Sequence, residues 1–189
     1  MLLIAAAASI PAFLPAVVPV LFGRSIQGLE VGRPSPDFEM RDHRGRAWRL
    51  SELRRPVVVY FGYTYCVNVC QPALGRLQRL LRDPALGELS VAFISLDPKR
   101  DTPARLADFA GPFGERFTAL TSTEANVRSV ARAYSLAFDS RCMEGQCDIV
   151  HSDFAYLVDR EGVIQFLYPG ANETQIRNDF LALKAGNDP

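Results

Sequence analysis

The chain has 189 residues, 48% of them hydrophobic, and its 21 basic and 21 acidic side chains cancel to zero net charge. That length suits one domain with a short extension and can bury a real core without disulfide staples. Zero net charge and scattered arginines remove the electrostatic basis for nucleic-acid binding, while a count of two histidines and four cysteines excludes a His-rich metal cluster.

No charged side chain precedes Arg24, and the apolar run of residues 1–22 is broken only by Ser9, Pro11, Pro15 and Pro19. As a helix it would reach roughly 33 Å, enough to cross a bilayer core. A transmembrane anchor, a cleaved secretory signal and a buried helix all fit. Proline is better tolerated in a membrane helix than in an exposed one, and a basic n-region is missing, so residues 1–23 are read as an anchor or uncleaved signal. Arg24 and Arg33 on the far side would by charge alone hold the domain in the cytoplasm, so charge does not settle the sidedness. Residues 24–36, rich in Gly, Pro and Ser, read as a linker, and residues 37–186 as the domain.

Within that domain, Asp37 to Met40 and Ala47 to Leu50 predict a hairpin about a turn at Asp42 to Gly45. Val57 to Phe61 is a continuous β-branched and aromatic run, the pattern of a strand buried on both faces. Leu74, Leu77, Leu80 and Leu81 predict an amphipathic helix after Pro72. Val91 to Leu96 is a second buried strand. Thr102 and Pro103 read as N-cap and first helical residue of a helix through Ala110. Thr121 and Glu124 resemble a capping box for a helix carrying Val127, Val130, Ala131 and Tyr134. Phe154 to Val158 and Val163 to Tyr168 form a hairpin, and Asn172 opens the last helix. This order predicts an α/β fold of thioredoxin type, a central mixed sheet flanked by helices with an N-terminal β-hairpin extension.

The chemistry concentrates where the first buried strand meets its helix, in Tyr60-Phe61-Gly62-Tyr63-Thr64-Tyr65-Cys66-Val67-Asn68-Val69-Cys70-Gln71-Pro72. Sites in open α/β sheets form at the carboxyl ends of strands. A helical turn would put both sulfurs on one face, near a helix N-terminus that favours thiolate. Three intervening residues leave a bite wide enough for a metal yet able to close as a disulfide. His151 precedes the strand at Phe154, in the loop that faces the cysteines in a thioredoxin-like sheet. Reductases place a cis-proline there, but this chain has no proline between Pro112 and Pro169. Two thiolates and an imidazole form a soft set suited to copper, whereas zinc would want a fourth ligand.

These segments resemble the SCO/SenC family of thioredoxin-fold copper proteins. The matching residues are Gly32, Pro36, Asp37 and Phe38; the Tyr60 to Cys70 loop; Ser95 to Pro103 (Ser-Leu-Asp-Pro-Lys-Arg-Asp-Thr-Pro); and His151-Ser152. The resemblance implies a site at Cys66, Cys70 and His151 for Cu(I), Cu(II) or both, with Asp97 behind the ligands. It also implies an apolar N-terminal anchor and a domain outside the cytoplasm, on the periplasmic side of the inner membrane. The implied role is copper delivery or thiol reduction during assembly of the dinuclear copper centre of cytochrome c oxidase. The implied partners are the copper-accepting oxidase subunit and a copper donor or thiol-reductant protein. Val67 stands where the family has proline, and Gln71 intervenes before Pro72, which alters loop stiffness and deletes no ligand.

Cys142 and Cys147 lie outside the family pattern. Three roles stay open: a local disulfide on an exposed hairpin, as an oxidising compartment allows; a third sulfur for the site; or a resolving couple for Cys66 and Cys70. The alternative to a copper chaperone is a membrane-anchored thiol–disulfide oxidoreductase cycling a Cys66–Cys70 disulfide, which leaves His151 without a task. A peroxidase fits less well, because Thr64 stands two residues before Cys66 rather than three. His43 reads as a solvated turn residue, Met143 as an exposed loop residue, and Trp48 as packing the first hairpin onto the core.

Overall fold

The computed structural model describes residues 27–66, 70–143 and 146–187. The predicted N-terminal anchor lies outside them, and among the described residues no helix is long and apolar enough to cross a membrane. Ten strands run in chain order as β1 (Leu29–Pro34), β2 (Glu39–Asp42), β3 (Ala47–Arg49), β4 (Val57–Gly62), β5 (Ser90–Ser95), β6 (Phe117–Thr121), β7 (Phe138–Met143), β8 (Gln146–His151), β9 (Phe154–Val158) and β10 (Val163–Pro169). The helices are α1 (Cys70–Arg82), α2 (Pro103–Ala110), α3 (Glu124–Ala133) and α4 (Glu173–Asn187).

Eight strands form one mixed sheet in the order β1-β10-β9-β4-β5-β6-β2-β3, and among the described residues β7 pairs only with β8. β4, β5 and β6 are parallel, whereas β9 runs antiparallel to β4. Every residue of β4 and β5 is buried, as expected of central strands covered on both faces. Because successive strand residues point to opposite faces, Tyr60 and Phe61 enter different layers. Tyr60 lies 6.5 Å from Phe93, which continues into Phe109 and Phe117. Phe61 packs on Tyr134 and Tyr156, and Phe38 bridges Tyr134 to Trp48. The central mixed sheet and flanking helices are those of the predicted α/β class.

Four local readings change. Leu29–Pro34, read as linker, is an edge strand antiparallel to β10. Its side chains are mostly exposed and its register shifts between Glu30 and Arg33, so main-chain pairing makes the strand and leaves no hydrophobic alternation to read. β6, which the sequence reading left out, spans five residues between two helices. The N-cap of α3 is Thr123, whose side chain accepts from Asn126 N–H at 3.3 Å, rather than Thr121, which ends β6. His43 is half-buried, and its Nδ1 accepts the Ala119 N–H at 3.3 Å, so it joins the turn to β6 instead of standing free in solvent. Thr102 and Pro103 open α2 as predicted.

Candidate metal centre

The parallel strands β4 and β5 deliver two loops to the same end of the sheet. After Gly62 the chain turns, and Cys66 N–H donates to the Tyr63 carbonyl at 3.1 Å. Asp101, fully buried, fixes this loop. Its carboxylate accepts from Thr64 N–H at 3.0 Å, from the Thr64 hydroxyl at 2.6 Å and from the Ser95 hydroxyl at 2.6 Å. Four residues after Cys66, Cys70 opens α1 and donates its N–H to Cys66 Sγ at 3.2 Å. Both cysteines are buried free thiols. Gly62 clears room for them: a Cβ there would stand 3.1 Å from Cys70 Sγ and 2.9 Å from Phe93 Cε2.

His151 arrives from the other side, as the last residue of β8, opposite Phe138 in the β7–β8 register. Its Nδ1 lies 2.9 Å from the Ser152 carbonyl oxygen. That oxygen can only accept, so Nδ1 carries a proton, and the tautomer with a single ring proton has its lone pair on Nε2. Nε2 lies 3.5 Å from Cys70 Sγ. Tyr63 joins the two sides: its ring meets His151 edge-on at 6.4 Å, its hydroxyl donates to Asp148, and it accepts Ile149 N–H at 3.4 Å.

One ligand atom each from Cys66, Cys70 and His151 lies within 4.8 Å of the other two. Metal bonds of about 2.0–2.3 Å in a three-coordinate site separate the ligand atoms by roughly 3.5–4 Å, so the cluster fits a soft ion after sub-ångström adjustment. Burial pushes the Cys70 thiol well above its ordinary pKa; the hydrogen bond and negative charge of Cys66 push the same way, against donation from Tyr63 N–H and the Tyr60 hydroxyl. The helix N-terminus therefore does not make Cys70 a ready thiolate, because burial outweighs it. A soft cation between the two sulfurs would reverse that balance.

Asp97 is buried but bonds to Arg100 and to Ser95 rather than to any of the three clustered residues. Arg100 lies over the rings of Tyr63 and Tyr65, at 5.9 and 4.8 Å, and so links Asp97 to the loop indirectly. Cys142 and Cys147 sit opposite one another in the β7–β8 register, and Met143 belongs to β7 rather than to a loop. Sequence reasoning missed Gly62, Tyr63, Asp101 and Asp148. Asp101 stands in the Ser95 to Pro103 segment that carried the resemblance, but its partner Thr64 is 37 residues away.

A family model described as SCO1/SenC matches residues 28–182. The chain is 30% identical over 146 residues to the mitochondrial SCO2 homolog of Bos taurus, covering 74% of this chain and 55% of that one, little more than half its length. The structure of Bradyrhizobium japonicum ScoI with copper bound superposes with a TM-score of 0.71 at 25% identity, over 79% of this chain and 98% of that one. Apo Sco1 from Thermus thermophilus gives 0.73 at 26% identity, over 85% and 99%. With the family match spanning β1 to α4 and taking in all three clustered residues, the chain belongs to the SCO1/SenC family.

Proposed function

We propose that this chain binds one copper ion through Cys66, Cys70 and His151 and serves as a copper chaperone in assembly of the dinuclear copper centre of cytochrome c oxidase. The observation that carries this reading is the convergence of two buried sulfurs and one imidazole nitrogen within 4.8 Å, a donor set that selects soft copper over harder ions. Copper is cargo here. Two thiolates bind it, and the Nε2 lone pair, oriented by the Ser152 carbonyl, completes the set. Asp101 and Tyr63 hold the cysteine loop and the histidine hairpin in register. The structure of Bradyrhizobium japonicum ScoI with copper bound supports the choice of metal. The acceptor would be the copper-binding subunit of the oxidase, met outside the cytoplasm with the apolar N-terminus as anchor.

The oxidoreductase reading draws on the same two thiols. It gives His151 no task, although the ring Nε2 lies 3.5 Å from Cys70 Sγ. The test is transfer: mixed with the metal-free copper domain of an oxidase subunit, the loaded protein should yield copper and the His151→Ala protein should not. Reduction of an acceptor disulfide that survives His151→Ala, without copper transfer, would favour the oxidoreductase.

A further inference from the structure

The hairpin that presents His151 stands apart from the main sheet. Among the described residues β7 and β8 pair only with each other, and a two-stranded ribbon alone is at best marginally stable. Its base is held: Ile149 is buried, Phe138 packs against the core, and Arg128 lies 5.0 Å over the Phe138 ring. Toward the tip lie Cys142 and Cys147, directly opposite in register.

The type of that pair follows from the ladder. Ser152 N–H donates to the Ala137 carbonyl at 2.9 Å, which makes 137:152 a hydrogen-bonded pair. Antiparallel pairs alternate, so 138:151, 140:149 and 142:147 are non-hydrogen-bonded pairs on one face of the ribbon. Such pairs bring their Cα atoms to about 4.5 Å, inside the range of about 4.4–6.8 Å that a disulfide spans. Along β8, Cys147 and His151 are four residues apart, about 13 Å in a strand. That spacing takes Cys147 out of reach of a metal bound at His151, and it prevents direct exchange with Cys66 and Cys70 while the strand stays extended.

We propose that Cys142 and Cys147 form a cross-strand disulfide that latches the hairpin, and that opening it loosens the hold of His151 on copper. The effect on copper rests on the function proposed above; the disulfide does not. Closure converts two thiols to one S–S bond and releases two protons and two electrons. An external protein or small-molecule disulfide takes them up and leaves as a dithiol, and an external dithiol reverses the step. An oxidising compartment keeps the latch closed.

Trypsin cleaves after Arg141 and Arg160, which places both cysteines on one peptide. In the full chain purified without reductant and alkylated, this peptide should escape alkylation and weigh two hydrogen atoms less than the dithiol. Alkylation at both positions would overturn the disulfide. Cys142→Ala/Cys147→Ala should then exchange the Ile149 and Val150 amides faster and lose copper to a chelator about 10-fold faster, the scale of losing a ligand's support. Unchanged amide exchange and unchanged copper loss would overturn the latch. Should the unmodified protein bind no copper at all, the chaperone reading fails, while the peptide mass and amide exchange still decide this one.

Discussion

Asp101 grips Thr64 twice, through the backbone N–H at 3.0 Å and the hydroxyl at 2.6 Å, two residues before Cys66. The carboxylate is wholly buried and takes a third hydrogen bond from Ser95, so it ties the end of β5 to the loop after β4. Asp101→Ala would strand three donors without an acceptor, at a cost of about 3 kcal/mol. Urea unfolding should show that loss, and copper affinity should fall by about 10-fold. A variant as stable as the parent would mean that the loop is held by something else.

Gly62 and Gly75 make a contrasting pair. Gly62→Ala drives a methyl against Cys70 Sγ and the Phe93 ring, a clash expected to cost about 1–3 kcal/mol and to disturb the absorption of the copper-bound protein. At Gly75, inside α1, a Cβ meets only the Arg79 guanidinium at 3.8 Å, so Gly75→Ala should stabilise by about 0.5–1 kcal/mol and leave the spectrum alone. Thermal melts and spectra of both variants check this; equal effects would contradict it.

Tyr63→Phe removes the hydroxyl that reaches Asp148 and Ile149 but keeps the ring beside His151. Copper affinity should drop about 10-fold, and the Ile149 amide should exchange faster. An unaltered affinity would show that the hairpin needs no tie from the cysteine loop.

The acid limb of the stability curve should carry the mark of Asp42. Burial raises its pKa, but hydrogen bonds from Arg46 and Arg44 outweigh burial and hold it below the ordinary 3.8. A group depressed in the folded state contributes stability above its unfolded pKa and loses it as pH falls through the folded value. Asp42→Asn should therefore lower stability at neutral pH and flatten the decline below about pH 4. Parallel curves for the two proteins would refute this assignment.

Strong local pattern made much of this molecule readable. Val57 to Phe61 has the pattern of a doubly buried strand, and Thr102-Pro103 carries its own start of a helix. β1 escaped because an exposed edge strand is made by its neighbour's main chain, which leaves no side-chain period. In the site, the three clustered residues were legible because cysteine and histidine are chemically distinctive. Their supports were not, because an aspartate or tyrosine shows its use only through its partner. Asp97 and Asp101 lie four residues apart on the same segment, yet only Asp101 touches the cysteine loop. His43 was misread for the same reason, its partner Ala119 being 76 residues distant.

The central claim is that Cys66, Cys70 and His151 together hold copper, and metal analysis with ultraviolet–visible spectra on the full chain and on Cys66→Ala, Cys70→Ala and His151→Ala tests it most directly. One copper per chain, a sulfur-to-copper charge-transfer band in the Cu(II) form, and loss of both in every variant is the expected result. Full copper binding with an unchanged band in His151→Ala would contradict it.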